Sequence, residues 1–309
     1  DSARMLRVAL SRVVESGGEK TPAVASSLDL ALRLGILPKP EEDTEVGEGS
    51  EHVLLEAIYD PNQPGSLAGN IRHLMWSATH VRERLSLDHW HSLNRLQREQ
   101  QLAQKTHPTL TEAIAFLDRV LGVSSSLTGF AMDNMTRDDG WRFLVIGRRL
   151  ERLSFLALAI ANFLRMPSAR GPGCLESLLE LTDSIITYRS RYSRSPELLP
   201  VLDLLVFDDS NPHGVVFQAS VLARYLERMA RELGDADEGE LAEALDALLH
   251  FDLERLEHLH FSDCHECSSC EDIARLLDGL NVAAIKLSSG LGMRYFTHVG
   301  DVSRQTMAL

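Results

Sequence analysis

Uninterrupted apolar stretches are in short supply in this chain: none reaches the roughly 18 residues that a membrane span needs, so the sequence excludes a spanning segment as an expectation. Basic residues are outnumbered, 31 Lys and Arg against 45 Asp and Glu, for a formal charge of −14. That balance argues against a nucleic-acid binder, which needs a basic footprint for the phosphates, and leaves basic or neutral peptides open. Cysteine is scarce, four in 309 residues with three in one run, too few for a disulfide framework. A reduced, cytoplasmic protein is the expectation. No signal-peptide pattern opens the chain, and no glycine-rich phosphate loop, H-E-x-x-H or G-x-S-x-G occurs. Convincing strand patterns are absent too. What remains is a globular composition, 44% hydrophobic and 25% charged, that reads as helix after helix.

The chain begins Asp-Ser-Ala-Arg with helical spacing already in place (Met5, Leu6, Val8, Ala9, Val13), as if a helix were entered part-way. This helix ends near Gly17-Gly18. Thr21-Pro22 caps a second, over 23–34 and closed by Gly35. A Glu- and Gly-rich loop over 38–50 leads to short 52–59, then 67–85, then a helix capped by Ser86 that runs to about Gln104. Thr109-x-x-Glu112 is a capping box opening a helix to about Asp133. The second half reads as 138–164, 175–193, a short apolar 200–207, a helix led by Asn211-Pro212 to about Leu233, then 238–260 and 271–296.

Six elements thus follow six. V-L-L-E-A-I-Y-D-P-N-Q-P from Val53 matches V-L-D-L-L-V-F-D-D-S-N-P from Val201 at an offset of 201 − 53 = 148. The reading is an all-α tandem duplication of a helical-bundle repeat with about twelve helices and no sheet. Its first repeat is 1–137, N-terminally truncated; its second is 138–309; the two are expected to pack as one unit.

Candidate chemistry gathers on the helix over 138–164. Asp138 and Asp139 suit its N-cap and first turn. Leu153 to Leu164 is apolar on nearly every face and should be buried all round. Arg148, Arg149, Glu151 and Arg152 lead into it, and charges entering a buried helix must be paired or line a cavity. Arg148 and Glu151 share a face, as do Arg148 and Arg152. The cluster is either a structural ion network or a site for a carboxylate or phosphate, which arginine's planar fork holds bidentately. Downstream, in T-Y-R-S-R-Y, Tyr188 and Tyr192 share a face, flanked by Arg189 and Arg191, and either pack in the core or contact a ligand. Cys264, His265, Cys267 and Cys270, with His258 and His260 upstream, have the look of a zinc site but lack the usual two separated ligand pairs, so free thiols are the alternative. His89-Trp90-His91 reads as a core tryptophan between surface histidines two apart, which cannot form a joint ligand pair.

With these motifs assembled, the chain resembles the bacterial alpha-E family of all-helical domains named for a Glu-Arg motif. The resemblance rests on M-T-R-D-D-G-W-R-F-L-V-I-G-R-R-L-E-R (Met135 to Arg152, including Arg137), on I-T-Y-R-S-R-Y (Ile186 to Tyr192), and on the two matched segments ending at Pro212 and around Tyr59 to Leu67. R-L-S-L-D-H-W-H-S-L-N-R-L and R-Y-F-T-H add weaker support. The resemblance maps the motif onto Glu151-Arg152 and implies a first copy just upstream of Asp1. The cysteine run is not part of the family pattern.

The resemblance implies a context of bacterial peptide synthesis or modification. Such domains occur with, and are often fused to, circularly permuted ATP-grasp ligases, and with transglutaminase-like proteins and Ntn-type peptidases. ATP and Mg would then belong to the ligase domain, and this chain would carry no cofactor or metal of its own. The leading expectation is a non-catalytic module presenting a peptide or amino acid to a carboxylate–amine ligase. Arg148, Arg149, Glu151 and Arg152 would orient the ligand, with Tyr188 and Tyr192 at the rim. An interaction or oligomerisation scaffold is the rival reading. An enzyme using Glu151 as general base ranks last, because neighbouring arginines would lower its pKa.

Overall fold

A computed structural model describes residues 1–39, 49–106, 108–192, 195–233, 239–256 and 268–296. Thirteen α-helices and no sheet are present among them. In order they are α1 (Ser2–Glu15), α2 (Pro22–Arg33), α3 (Ser50–Tyr59), α4 (Leu67–His80), α5 (Leu87–Thr106), α6 (Leu110–Asp133), α7 (Asp139–Arg165), α8 (Cys174–Leu181), α9 (Ile185–Tyr192), α10 (Leu198–Leu202), α11 (Val215–Leu233), α12 (Gly239–Leu249) and α13 (Ser268–Phe296).

The starts of these helices follow local chemistry. Thr21 and Ser66 accept from the backbone N–H groups of Val24 and Gly69, satisfying donors that the first turn leaves orphaned. Thr109 and Glu112 form the full reciprocal capping box. Asp138 accepts from the Trp141 N–H at 3.1 Å and opens α7.

Two compact units emerge. One comprises Asp1–Trp141 and Met166–Pro196; the other comprises Arg142–Arg165 and the described residues of Glu197–Leu259 and Glu266–Leu309. In the first, α1 is the hub. It buries Ala3, Met5, Leu6, Val8, Ala9, Leu10 and Val13 against α2, α3, α6 and α8. Each large side chain so removed from water contributes about 1.5–3 kcal/mol. A satellite cluster of Met75, Ala78 and Leu93 joins α4 to α5. In the second unit, α12 lies along α13 and α11 packs on α12. The end of α7 is clamped to α13 by Arg165, whose Nε and Nη2 both reach Glu271 at 2.9 Å while Nη1 reaches Asp278 at 2.7 Å.

The +148 offset recurs in the backbone. Leu34 N–H bonds to Leu30 O and Ile36 N–H to Ala31 O, and at +148 Thr182 N–H bonds to Leu178 O and Ser184 N–H to Leu179 O. Gly35 in the first turn and Asp183 in the second (183 − 35 = 148) both hold positive φ, 68° and 58°. The side chains of Asp60 and Asp208 each accept from the N–H two residues on. Helices α4 and α11 begin 215 − 67 = 148 residues apart.

Several expectations need correcting. The stretch 175–193 is two helices, because Asp183 takes the left-handed conformation that ends α8 as Gly35 ends α2. Helix α4 stops at His80 and passes into a 3-10 turn, Arg82–Arg84; α12 stops at Leu249, short of His260. The apolar 200–207 is α10 followed by a π turn, Asp203–Phe207. Asn211 does not cap α11: it is buried, with its side-chain amide on Leu204 O, in the turn before the helix. His89 is the buried member of its triplet, while Trp90 is half-buried under the Arg82 guanidinium. Finally, α6 is long and apolar enough to cross a membrane by length and composition, contrary to the reading above. Its Ala113, Phe116, Leu117 and Val120 are nevertheless buried in a helix that packs on α1 and α5.

Candidate functional site

Rows of residues along α7 determine what its charges can do. Residues 144, 148, 151, 155, 158 and 162 recur at helical spacing and form one row. Leu144, Arg148 and Glu151 on it are exposed, and Phe155, Leu158 and Asn162 are half-buried. The second half of α7 is therefore not buried all round. Glu151 lies on this outward row, so the acid faces solvent. The adjacent row reads Val145, Arg149, Arg152, Leu156. Its two apolar members are buried and its two arginines half-buried.

Helix α11 supplies the other wall. Arg149 Nη1 donates to Gln218 Oε1 at 2.9 Å, and Gln218, itself buried, donates in turn to Pro212 O. The Arg149 guanidinium lies over the Phe217 ring at 5.8 Å, and its Nε is buried with no hydrogen-bond partner. Burial holds the Arg149 pKa below its ordinary value. Arg148, Arg152 and Arg224 push it the same way, and Tyr225 opposes them. Partial desolvation of its guanidinium lowers Arg148 as well, although the residue as a whole is exposed, helped by Arg152 and opposed by Glu151. Four guanidinium groups thus act on one another across α7 and α11 in a chain of net charge −14.

A structural ion network would show the opposite sign, and Arg165 provides the internal contrast. Its hydrogen bonds to Glu271 and Asp278 raise its pKa despite burial. Arg148 and Arg149 are instead lowered, by burial first and then by like charge, which an incoming carboxylate or phosphate would relieve through bidentate hydrogen bonds.

Gln218, Arg224, Phe217 and Tyr225 were not among the sequence-derived candidates. One signal was available: Val215, Gln218 and Leu222 share a buried row of α11, and a glutamine in such a row needs a polar partner.

Arg137, Tyr188, Arg189, Arg191 and Tyr192 belong to the first unit. Tyr188 is buried, its hydroxyl 3.4 Å from Ser195 O and its ring 4.9 Å from that of Tyr192. Arg189 and Arg191 are exposed. Arg137 is exposed too, with its guanidinium 5.5 Å from the Trp141 ring. A polar cleft of about 510 Å³ lies between Glu83–Ser86 and Asn134–Asp138, bridged by the Arg84–Asp138 ion pair at 2.6 Å. Of the zinc candidates, His258, His260, Cys264, His265 and Cys267 lie outside the described residues, as does His298. Cys270 is buried at the start of α13. Among the described residues no group of three His, Cys, Asp or Glu is placed to hold a metal.

The family model for Alpha-E, described as a predicted alpha-helical domain with a conserved ER motif, matches residues 1–296. The chain is also similar to the uncharacterized proteins Rv2567 and MT2643 of Mycobacterium tuberculosis and Mb2597 of Mycobacterium bovis. Each is 28% identical over 267 residues, covering 81% of this chain. The chain spans 28% of the length of these curated relatives. No solved structure matches it.

Proposed function

The chain belongs to the alpha-E family of helical domains, and on that premise we propose that it is a non-catalytic accessory module that holds an anionic group of a peptide or amino-acid substrate. The single observation behind this reading is the like-charge crowding of Arg148, Arg149, Arg152 and Arg224. Arg149 sits in a half-buried row, where its guanidinium meets Gln218 and the Phe217 ring. Arg149 and Arg152 grip the carboxylate or phosphate. Glu151, on the outward row beside them, is the group available to an ammonium on the same ligand.

The partner in this proposal is a circularly permuted ATP-grasp carboxylate–amine ligase, fused or separate, which carries the ATP and Mg. A transglutaminase-like protein and an Ntn-type peptidase act in the same cytoplasmic pathway. The helical module contributes by positioning the acceptor and excluding water, effects on entropy and desolvation rather than bond chemistry. The test is ATP-dependent ligation with the ligase supplied, comparing wild type with Glu151→Gln and Arg152→Lys. A fall in turnover with unchanged helicity is expected. Wild-type turnover in both variants would remove the site.

The scaffold reading retains one observation in its favour, the exposure of Glu151. It expects Arg152→Ala to loosen the fold and no anion to raise the melting temperature.

A further inference from the structure

Helix α13 buries one side against α12 and leaves another side open. On the open side Val282, Ile285, Met293 and Phe296 are 50%, 52%, 65% and 58% exposed, and Ser289 between them is exposed as well. The steps 3, 4, 4 and 3 keep all five on one narrow stripe about 21 Å long, at 1.5 Å per residue. None of the five is charged. Phe143 of α7 rests on the end of the stripe, 5.1 Å from the Phe296 ring, and its neighbour Leu144 is 43% exposed.

The stripe is its own complement when reversed. The sums 282 + 296, 285 + 293 and 289 + 289 all equal 578. An antiparallel copy turned about a two-fold axis at Ser289 would therefore set Val282 on Phe296 and Ile285 on Met293, twice over. Small residues stand at the crossing, where Ser289 meets itself and Ser288 meets Gly290, so the helices can approach closely. Lys286, the nearest charge, faces Gly292 of the copy (286 + 292 = 578) and is already paired with Glu240 of its own chain at 2.7 Å. No like charges meet. This is the self-complementarity a two-fold contact requires, residue i on j and j on i.

Area agrees with this occupant. The half-exposed side chains, with Leu144, leave on the order of 450 Å² of apolar surface open, more than scattered surface hydrophobics account for. A standard interface buries about 800 Å² per partner, rather more than half of it apolar, which is roughly the same amount.

We propose that α13 is a homodimerisation helix, pairing antiparallel with α13 of a second copy about Ser289. This goes beyond the anion-binding reading and does not depend on it. The test is sedimentation of the full 309-residue chain at concentrations on the order of 10 μM and above, since dimer population depends on protomer concentration. Wild type should run as a dimer, Ile285→Lys and Met293→Asp should each run as monomers with unchanged helicity, and the double variant should recover the dimer, because Lys and Asp then face each other twice. With Cys264 and Cys267 replaced by Ser, Ser289→Cys should cross-link to itself under mild oxidation. A wild-type monomer throughout would overturn the proposal. So would a dimer that survives both single changes, or a double variant no more dimeric than either single.

Discussion

Replacing Arg149 by methionine separates a binding face from a structural ion network by the size of the stability change. Methionine keeps the apolar stem against Phe217 and removes the charge. The lost hydrogen bond to the buried Gln218 oxygen costs about 1.5–3 kcal/mol, and the lost cation–π contact about 0.5–1. Against this stands relief from Arg148, Arg152 and Arg224. At an effective dielectric near 20 a like charge ~6 Å away costs on the order of 2–3 kcal/mol, which exposure and salt reduce to about 1 each. Three such terms nearly cancel the losses. The midpoint of urea unfolding at low salt should therefore move by no more than about 1 kcal/mol of stability in either direction, as expected where stability has been exchanged for function. An arginine holding a buried ion pair together would cost about 3–5 kcal/mol when removed. A loss of ~3 kcal/mol or more for Arg149→Met would refute the reasoning.

Other outcomes follow from the same structure. His89 is buried, its Nδ1 lacks a hydrogen-bond partner, and burial lowers its pKa below 6.5. The unfolded chain then binds a proton that the folded chain refuses, so stability is full above pH ~6.5 and falls as pH drops through the lowered value. His89→Leu should flatten that slope in pH-dependent unfolding, and an unchanged slope would refute the assignment. Gly65 has φ 78°, and an added Cβ would lie 2.2 Å from Gly35 O, whereas a Cβ on Gly35 (φ 68°) meets nothing. Gly65→Ala should cost about 3 kcal/mol or more and Gly35→Ala about 1; equal losses in chemical denaturation would contradict the close approach. Arg165→Gln forfeits charged hydrogen bonds to Glu271 and Asp278, worth about 1–2 kcal/mol after allowance for their partial exposure. The Arg165 contact lowers the Glu271 pKa. The gap between wild type and Arg165→Gln should therefore be present above the ordinary carboxylate range and close as acid titrates Glu271; a gap that persists in acid would count against the clamp.

Element starts were legible because caps are local chemistry: Thr21-Pro22, Ser86, Thr109-Glu112 and Asp138 all act as their types suggest. Stops were harder to read. The break after α8 is carried by Asp183, a residue whose left-handed conformation only its equivalence to Gly35 would have betrayed. The arginines of α7 were visible because four charges beside an apolar run are conspicuous, and their direction was not, because one residue of rotation separates the half-buried Arg152 from the exposed Glu151. Their partners on α11 lie 69 residues away in the chain, at Arg149 to Gln218, and pairing over that distance is decided by packing rather than by spacing. For the same reason His89 and Trp90 exchanged their expected places. The neighbours around α5, more than hydrophobicity rank, select which ring is enclosed.

Calorimetric titration of the intact chain with inorganic phosphate at low salt bears most directly on whether the α7–α11 arginines bind anions. Binding should be seen for wild type and for Arg165→Gln, whose arginine is already neutralised, and should vanish in Arg149→Gln with Arg152→Gln. Equal heats in all three proteins, or none with wild type, would contradict it.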